Sequence, residues 1–427
     1  MSLLNRLIRI GWKILSRQKK LSALVSSLYT SAAYFGSLPG YYRLLRHDHK
    51  DQSRTQRARG VNIAGYLTME SGVGEAARSL VRAIDKAGIP YALNNIEDPL
   101  IRSQNKTYEH IFRNDFLYDI NILCFNADQI PSLSRRLPAG WLSGSYSIGY
   151  WVWELDAFPK MWDPSFRCLQ EIWTPSAFCT DTIRTRSPLP VTTIPYAIDI
   201  AAIDTTRTRE SFGLNKDSCL FLFIFSLQSA FERKNPLAII RAFRKAFSGF
   251  SMEKVSLVLK FSGSASHRWA YDEIVKASEG LPVRIIDSYL DSSALYRLMQ
   301  LADCYVSLHR SEGFGLTIAE SMFLGKPCIS TAYSGNMEFM DQTNSFPVNF
   351  SMKRIEKSIG PYKKGRYWAD ADINHAADLM RFVYENREKA AEVGLRGSRN
   401  IKDKLSPDAV AAVLNRRISE IRLEHRW

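Results

Sequence analysis

The chain has 427 residues, of which 45% are hydrophobic and 12% aromatic, and its formal net charge is +14. This length and composition exclude an intrinsically disordered protein and predict two or three folded domains. Six cysteines form no CxxC pair and mostly lie inside apolar runs such as NILCFN and ADCYVSL. We therefore expect reduced, buried thiols and a cytoplasmic location.

The positive charge is concentrated at the N-terminus. Residues 1–60 contain twelve Lys or Arg against two acidic residues, and so carry +10 of the net charge. On a helical projection, one face collects the basic residues Arg6, Arg9, Lys13, Arg17 and Lys20. The opposite face collects Leu4, Leu7, Ile8, Ile14 and Leu15. Residues 21–42 then carry no charge.

This N-terminal extension, residues 1–58, has two interpretations. A basic amphipathic helix followed by an uncharged segment is typical of a protein lying on an anionic membrane, here through residues 1–42 at the inner face. The alternative is a helical extension that packs on its own protein or on a partner. A spanning helix is not predicted, because six Ser/Thr, Gly36 and Pro39 dilute the apolar run. Nucleic acid is not an expected partner, since no groove-reading motif is present.

From residue 60 onward, short apolar segments alternate with amphipathic ones, which is the pattern of an α/β fold with parallel sheets. The predicted strands of the first half are VNIAGYL, NILCF, SIGYWVW, EIWTP and VTTIPY. The polar segment AIDIAAIDTTRTRESFGLNKDS predicts a linker. The strands predicted after it are CLFLFIFS, VSLVLKF, VRIIDSY, ADCYVSL and KPCIST, with helices at Pro236–Phe247 and Ser292–Leu301.

This order predicts two consecutive domains, residues 59–205 and 206–405. A last helix over residues 406–427 is expected to pack back on the first domain. In the first domain, Gly72-Val73-Gly74-Glu75-Ala76-Ala77 fits the G-x-G-x-x-A dinucleotide fingerprint, with Glu97 or Asp98 as the ribose acid. An NAD-dependent enzyme is therefore an alternative. Against it, residues 68–71 lengthen a strand-to-glycine turn that is tight in dinucleotide folds.

Polar residues follow four predicted strands of the second half. Ligands of parallel sheets bind where the carboxyl ends of the strands meet, so these residues predict one common site. They are Arg233, Lys234, Lys260, Glu312, Glu320, Asn336 and Glu338. Taken singly, a Glu or Lys at such a position is better explained as a solvated loop residue, and it is the convergence of four loops that favours a site.

The residue types predict the chemistry of the ligand. Arg233, Lys234 and Lys260 are suited to an anion. Gly313 and Gly315 open a helix whose unpaired N–H groups can approach a phosphate. Carboxylates such as Glu312 and Glu320 repel phosphate but bind sugar hydroxyls well. Together these features predict a nucleotide sugar.

Residues 219–348 resemble the donor domain of the GT-B glycosyltransferases, in particular the retaining group called family 4 among the group 1 glycosyl transferases. The resemblance rests on the pattern Glu-(seven residues)-Glu, here Glu312 and Glu320. It rests also on the Gly-Phe-Gly before the helix, the Gly-Lys-Pro after it and the Ser-Gly-Asn-Met-Glu loop. It implies two Rossmann-like, doubly wound parallel-sheet domains that face a cleft.

The resemblance implies roles for the matching residues. Glu312 would bind the donor sugar, Glu320 the ribose and Lys234 the diphosphate. The amides of Phe314, Gly315 and Leu316 would hold the distal phosphate. Glu338 matches a glutamate of the family's following loop, beside Asn336. His309 would either approach the donor or serve as a hydrogen-bonded structural histidine.

One residue departs from the family pattern. The family often has an arginine six positions before the phosphate lysine, where this chain has Gln228. Arg233 is the candidate to supply the missing charge. In the first domain, the resemblance implies that the loop with Gly72 and Gly74 approaches the donor phosphate or the acceptor.

The run IGYWVWELDAFPKMW holds Trp151, Trp153 and Trp162 around Glu154. Glu154 and Trp153 either line the acceptor side, with the ring stacking on sugar, or belong to a tryptophan-rich core.

The expected function is transfer of a sugar, with retention, from a nucleotide-diphosphate sugar to a hydroxyl of a glycan, lipid-linked or other acceptor. No metal or cofactor is expected, because no Cys/His cluster predicts zinc and the only Asp-x-Asp, Asp370 to Asp372, lies in a late polar segment. The alternatives are epimerisation or phosphorolysis on the same fold, a dehydrogenase, and a silent nucleotide-sugar-binding subunit.

Overall fold

A computed structural model describes residues 32–45, 57–97, 103–138, 140–200 and 202–425. The described residues of Tyr29–Asp199 and Asp403–Trp427 form a first compact unit, and those of Ile200–Lys402 form a second. The basic helix predicted within residues 1–20 lies outside the described residues. All six cysteines lie among the described residues, where they are buried and form no disulfide, as the apolar runs around them predict.

The first unit is built on a six-stranded parallel sheet in the order β2-β1-β3-β4-β5-β6. Its strands are β1 (Ala58–Gly65), β2 (Tyr91–Asn95), β3 (Tyr118–Cys124), β4 (Tyr146–Tyr150), β5 (Glu171–Thr174) and β6 (Val191–Thr193). Most strand residues are buried, as in a parallel sheet covered on both faces. Its helices are α1 (residues 32–45), α2 (Gly72–Lys86), α3 (Ala177–Arg184) and the last helix of the chain, at Pro407–His425.

Helix α1 packs on the first unit. Tyr34 and Tyr41 are buried, and the Tyr41 hydroxyl donates to the carbonyl of Pro164 at 3.1 Å. Arg135 donates to the Ser37 hydroxyl at 2.6 Å. For this part of the N-terminal extension, the structure therefore shows packing on its own protein.

The second unit has a six-stranded parallel sheet in the order β12-β11-β10-β7-β8-β9. Its strands are β7 (Cys219–Ile224), β8 (Val255–Phe261), β9 (Val283–Asp287), β10 (Cys304–Ser307), β11 (Cys328–Thr331) and β12 (Phe346–Val348). The remaining strands, β13 (Phe350–Arg354) and β14 (Tyr367–Ala371), form a separate antiparallel pair.

The helices that follow are α4 (Phe231–Lys234), α5 (Pro236–Phe247), α6 (Arg268–Ser278), α7 (Ser292–Leu301), α8 (Leu316–Phe323), α9 (Ile373–Glu385), α10 (Arg387–Leu405) and α11 (Pro407–His425). Short 3₁₀ helices occur at Glu109–Ile111, Ile130–Arg135, Lys160–Cys168, Glu210–Phe212, Ser264–Ser266 and Gly335–Glu338. All ten predicted strands and both predicted helices are confirmed. Searching the described residues finds no helix that is long and apolar enough to cross a membrane.

Helix α11 packs on the first unit through buried ion pairs. Arg417 bonds both oxygens of Glu171 at 2.9 and 3.0 Å, and Glu171 is fully buried. Arg422 pairs with Asp119 at 3.3 Å. The carboxylate of Glu171 also accepts from Trp173 and Thr192, so the helix is tied to β5 and the neighbouring edge strand β6.

Candidate active site

The candidate site lies in the second unit, where the strand order reverses. Strand β7 has β10 on one side and β8 on the other, so successive connections leave it in opposite directions. Such a switch point opens a crevice beyond the carboxyl ends of the two strands, which is the usual ligand site of an open α/β sheet. The loop after β7 carries Arg233 and Lys234, and the loop after β10 carries Glu312.

Glu312 is the centre of a cluster with two cations. Lys234 Nζ lies 2.5 Å from Glu312 Oε1, and Arg233 Nη1 lies 3.1 Å from Oε2. The three side chains are only 19%, 6% and 12% exposed for Lys234, Arg233 and Glu312 respectively. Two cations thus share one carboxylate, and the cluster keeps a net charge of +1. Lys234 and Arg233 were predicted to bind phosphate. In the structure, both instead face the Glu312 carboxylate.

The local sequence explains how the cations are placed. Asn235 adopts the left-handed conformation, with a φ of 54°, that asparagine tolerates better than most residues. This residue ends α4, and Pro236 then begins α5 at the position where proline fits a helix. Asn235 also donates to the carbonyl of Leu308 at 3.0 Å, which fixes the β7 loop to the end of β10.

The pKa of Glu312 is about 2, well below its ordinary value. Burial acts to raise this pKa, but the charges of Lys234 and Arg233 outweigh the burial. Glu312 is therefore a carboxylate at every physiological pH, able to accept hydrogen bonds and unable to donate a proton.

The start of helix α8 lies beside this cluster. Gly315 precedes the helix with a φ of 94°, which favours glycine. A Cβ at Gly335 would lie 2.1 Å from the carbonyl oxygen of Gly313, so the two loops touch backbone to backbone. The amides of the first turn of α8, at Leu316 and Thr317, have no intrahelical acceptor. This combination suits the binding of an anion.

Glu320 is 7% exposed and lies on α8, where its Oε1 accepts from the Tyr296 hydroxyl at 3.2 Å. The Tyr305 hydroxyl donates to the Thr317 hydroxyl at 2.7 Å, which joins β10 to the first turn of α8. Glu320 is thus held by Tyr296 of helix α7. The two glutamates of the Glu-(seven residues)-Glu pattern have separate partners.

His309 is fully buried and both ring nitrogens are engaged. Nδ1 lies 3.1 Å from the Ser307 hydroxyl, and Nε2 lies 3.1 Å from Asn336 Oδ1. Asn336 in turn donates to the carbonyl of Thr331 at 3.0 Å. This geometry fits the structural role of His309 and Asn336, which join the ends of β10 and β11. Glu338, next in the same loop, is exposed.

Lys260 is the penultimate residue of β8, in register with Ile224 of β7. It is 6% exposed, and its ammonium donates to the carbonyl of Phe261 at 3.2 Å. Burial lowers its pKa to about 8, with Asp287 acting weakly in the opposite direction. Gln228 is exposed on the adjacent loop, and a Cβ at Gly263 would lie 3.5 Å from its Cγ.

Several residues that sequence reasoning missed hold the cluster in place. Ser334, at a φ of 77°, accepts from the Glu312 amide at 2.8 Å, and the Gly335 amide donates to the Glu312 carbonyl at 2.9 Å. Tyr362 lies under Arg233, with its ring centre 6.0 Å from the guanidinium. The Ser-Gly loop was visible in the sequence, but nothing there indicated that it would hold Glu312.

In the first unit, Gly72 and Gly74 begin α2, and the Ser71 hydroxyl caps the helix by accepting from the Gly74 amide at 3.2 Å. A Cβ at Gly74 would lie 2.2 Å from the carbonyl oxygen of Met69, so internal packing explains this glycine. A Cβ at Gly72 would meet nothing within 4 Å. Gly72 is exposed, and no neighbour in the structure requires a glycine there.

The tryptophans form a buried cluster. Trp153 is 3% exposed, and its ring lies edge-on to Trp162 with centroids 5.0 Å apart. This packing agrees with the tryptophan-rich core and leaves little of the Trp153 ring for sugar stacking. Glu154 is half-buried near Asp128, a residue that the sequence did not single out. Burial, helped by the charge of Glu154, raises the pKa of Asp128 to about 6.

Within the part of the chain that the structure describes, no group of three or more His, Cys, Asp or Glu is placed to hold a metal ion.

Comparison with known proteins identifies the class. Residues 204–399 match the family described as Glycosyl transferases group 1. No curated protein matches the chain. The crystal structure of HepE from Anabaena, in complex with UDP and glucose, has a TM-score of 0.62 at 13% identity and covers 85% of this chain and 100% of its own.

Two further structures are similar in the same way. Sucrose-phosphate synthase from Thermosynechococcus elongatus has a TM-score of 0.61 at 13% identity, over 86% of this chain and 100% of its own. A glycosyltransferase from Rickettsia africae has a TM-score of 0.61 at 13% identity, over 86% and 99%. At this identity the likeness is one of fold.

The two parallel sheets and these neighbours define the GT-B architecture, and the protein is a glycosyltransferase. Its second unit, over residues 204–399, is a group 1 glycosyl transferase domain.

Proposed function

We propose that this glycosyltransferase moves a sugar from a nucleotide-diphosphate sugar to an acceptor hydroxyl, with retention of the anomeric configuration and without a metal ion. One observation carries the proposal: the Glu312 carboxylate is held between Lys234 and Arg233 directly before the open amides of α8. In this arrangement the cations and the helix amides bind the diphosphate, and the Glu312 carboxylate binds the sugar.

In this proposal the diphosphate lies against the first turn of α8 and the Lys234 ammonium. Because the cluster already has one excess positive charge, an anion can bind without expelling Glu312. The oxygens of Glu312 then accept from hydroxyls of the donor sugar. The ribose is assigned to Glu320, which lies about one turn into α8. The UDP and glucose in the HepE structure are ligands of the class proposed here.

The reaction breaks the bond between the anomeric carbon and the diphosphate oxygen, and forms one from that carbon to the acceptor oxygen. The acceptor proton passes to the departing diphosphate, on the same face of the sugar. Preorganised positive charge stabilises the leaving group as its charge develops. Glu312 is not assigned as a proton donor, because its pKa is about 2.

Lys260 is assigned as the second cation that binds the donor diphosphate. It takes the role of the family's arginine, at whose position this chain has Gln228. Arg233 is engaged by Glu312 and by the carbonyl of Ser311 at 2.8 Å, so its charge is directed to the sugar side. Lys260 is on the neighbouring strand end, beside Gln228, and it is buried with a backbone carbonyl as its hydrogen-bond acceptor. A buried cation with so little compensation is stabilised by a ligand anion.

The test is a panel of nucleotide sugars assayed for nucleoside diphosphate release with and without acceptor, in the presence of a chelator. Release that requires both substrates supports transfer, and NMR of the product reads the anomeric configuration. Donor isomerisation without release would indicate an epimerase, and dependence on inorganic phosphate would indicate a phosphorylase. Glu320→Ala should weaken donor binding; unchanged binding would overturn the ribose assignment.

A further inference from the structure

The surface that stands out beyond the donor site is the antiparallel pair β13–β14 with its connecting loop, residues 350–371, here called the basic ribbon. It contains six Lys or Arg and two acidic residues. The rest of residues 61–427 contains 39 Lys or Arg and 39 Asp or Glu, and so is neutral. All of the net positive charge after residue 60 is therefore on this ribbon.

The charges of the ribbon are available for a partner. Lys353 pairs with Asp370 at 3.0 Å. Among the described residues, no acidic group lies within ion-pair distance of the other five cations, which are Arg354, Lys357, Lys363, Lys364 and Arg366. All five are exposed. Clustered cations repel one another, so an anionic partner would relieve a repulsion that the fold leaves in place.

The ribbon also exposes apolar side chains. All five residues of β13 are exposed, although successive residues of a strand point to opposite faces. The outer strand is therefore open to solvent along its length, although the Phe350 ring packs on Tyr333 with centroids 5.2 Å apart. Phe350 is 37% exposed, Met352 46% and Tyr367 43%. The inner strand, in contrast, buries Trp368 and Ala369.

The inner side of the ribbon is fixed to the candidate site. Asp370 pairs with Arg310 at 2.9 Å, and the Ala369 amide donates to the Arg310 carbonyl at 2.9 Å, two residues before Glu312. Tyr362 lies under Arg233, and Lys363 and Lys364 follow it directly. The exposed cations are therefore held by the residues that surround Glu312.

From this arrangement we propose that the basic ribbon docks the second unit on an anionic lipid bilayer. Cations beside exposed aromatic and methionine side chains are the combination that binds the interface of an acidic membrane. A strand exposed on both faces offers no groove to enclose a polymer chain, which favours a planar surface over an acidic glycan. Under the proposed function, on which this consequence rests, docking brings the donor sugar to a hydroxyl of a lipid-borne acceptor.

The experiment is co-sedimentation of the full chain with vesicles of phosphatidylcholine alone or mixed with phosphatidylglycerol. The ribbon variant combines Lys357→Gln, Lys363→Gln, Lys364→Gln and Arg366→Gln. Its matched control combines Lys245→Gln, Lys254→Gln, Lys276→Gln and Lys389→Gln, which are exposed cations of the same unit. Both variants change the net charge equally and keep the N-terminal extension, so their difference reports the ribbon alone.

We expect binding to the acidic vesicles only, weakened at least about tenfold in the ribbon variant, because each cation near the surface contributes severalfold. The control should differ from the wild type much less. Met352→Ser, which keeps the charge, should weaken vesicle binding without changing retention on heparin. Equal binding of the ribbon variant and its control would overturn the proposal, as would a ribbon variant that loses heparin retention alone. Nucleoside diphosphate binding in each variant separates a failure of this proposal from a failure of the proposed function.

Discussion

Under the proposed function, the Glu312 carboxylate and the diphosphate of the donor share the Lys234 ammonium. In Glu312→Gln, Lys234 and Arg233 lose their carboxylate, so more positive charge is available to a diphosphate. We predict that this variant keeps or increases its affinity for the nucleoside diphosphate, while kcat falls by about 10²-fold or more because the sugar contact is lost. Calorimetry and initial rates with the preferred donor measure the two quantities separately.

The matched control for this variant is Glu273→Gln, an exposed carboxylate on α6 in the same unit. It should leave both quantities unchanged. If Glu312→Gln instead lost diphosphate affinity and kept kcat, the assignment of Glu312 to the sugar would be wrong.

Lys260 gives a prediction about pH. Its folded pKa of about 8 is below the ordinary 10.5, so the buried charge costs stability below pH 8, and this cost is removed as the pH rises towards 10.5. A bound diphosphate favours the charged form and raises the pKa. Binding near pH 8.5 should therefore take up protons, which calorimetry detects in buffers of different ionisation enthalpy.

Lys260→Met should abolish this proton uptake and weaken diphosphate binding. Lys254→Met, a change at an exposed lysine of the same unit, should do neither. The same uptake in Lys260→Met would show that another group titrates and that Lys260 does not face the donor.

At this scale the sequence predicted residue types better than residue partners. Glu312, the two cations after β7 and Lys260 lie at or just beyond strand ends, as their positions after apolar runs require, whereas Glu320 lies on α8. The pairing of Glu312 with Lys234 and Arg233 was not predictable, because it depends on β7 and β10 being neighbours in the sheet. The burial of Trp153 also depends on contacts with residues distant from its strand.

Helix α11 is an element whose position depends on one buried charge. Glu171 is fully buried, and Arg417 neutralises it. We predict that Arg417→Ala lowers the free energy of unfolding of the first unit by about 3–5 kcal/mol, since an unpaired charge would remain in the core. Urea unfolding followed by tryptophan fluorescence measures the change, because six of the nine tryptophans lie before residue 200.

The neighbouring Arg416 is exposed and provides the control, with Arg416→Ala expected to change stability little. The double variant Arg417→Met with Glu171→Gln should recover part of the loss, because it removes the buried charge together with its partner. A loss in Arg417→Ala no larger than that in Arg416→Ala would contradict the role given to this ion pair.

The elements that the sequence predicted share one property. Strands such as β7 and β8 are apolar at almost every position, and that pattern predicts a fully buried strand. Strands β13 and β14 were missed because the ribbon is rich in charge, and β2 because Tyr91–Asn95 ends in two asparagines. Apolar periodicity detects strands made of apolar residues and overlooks those with charged or amide side chains, whether they are exposed like β13 or buried like the centre of β2.

Over the whole molecule, the α/β class, the two-domain order and the GT-B architecture could be predicted, since they follow from the alternation of strands and helices and from one family motif. The packing of α1 on the first unit could not, because a helix with few charges looks the same whether it meets protein or lipid. The central claim concerns the second unit: its switch point binds the diphosphate of a nucleotide sugar through Lys234.

The most direct test is calorimetric titration of UDP, GDP, ADP and dTDP into the full chain with a chelator present. We predict that at least one nucleoside diphosphate binds, and that Lys234→Met weakens it at least about tenfold, because a charge-assisted contact to phosphate is lost. Lys245→Met, an exposed lysine of the same unit, should bind like the wild type. Binding by none of the four, or equal binding by Lys234→Met and the wild type, would contradict the account.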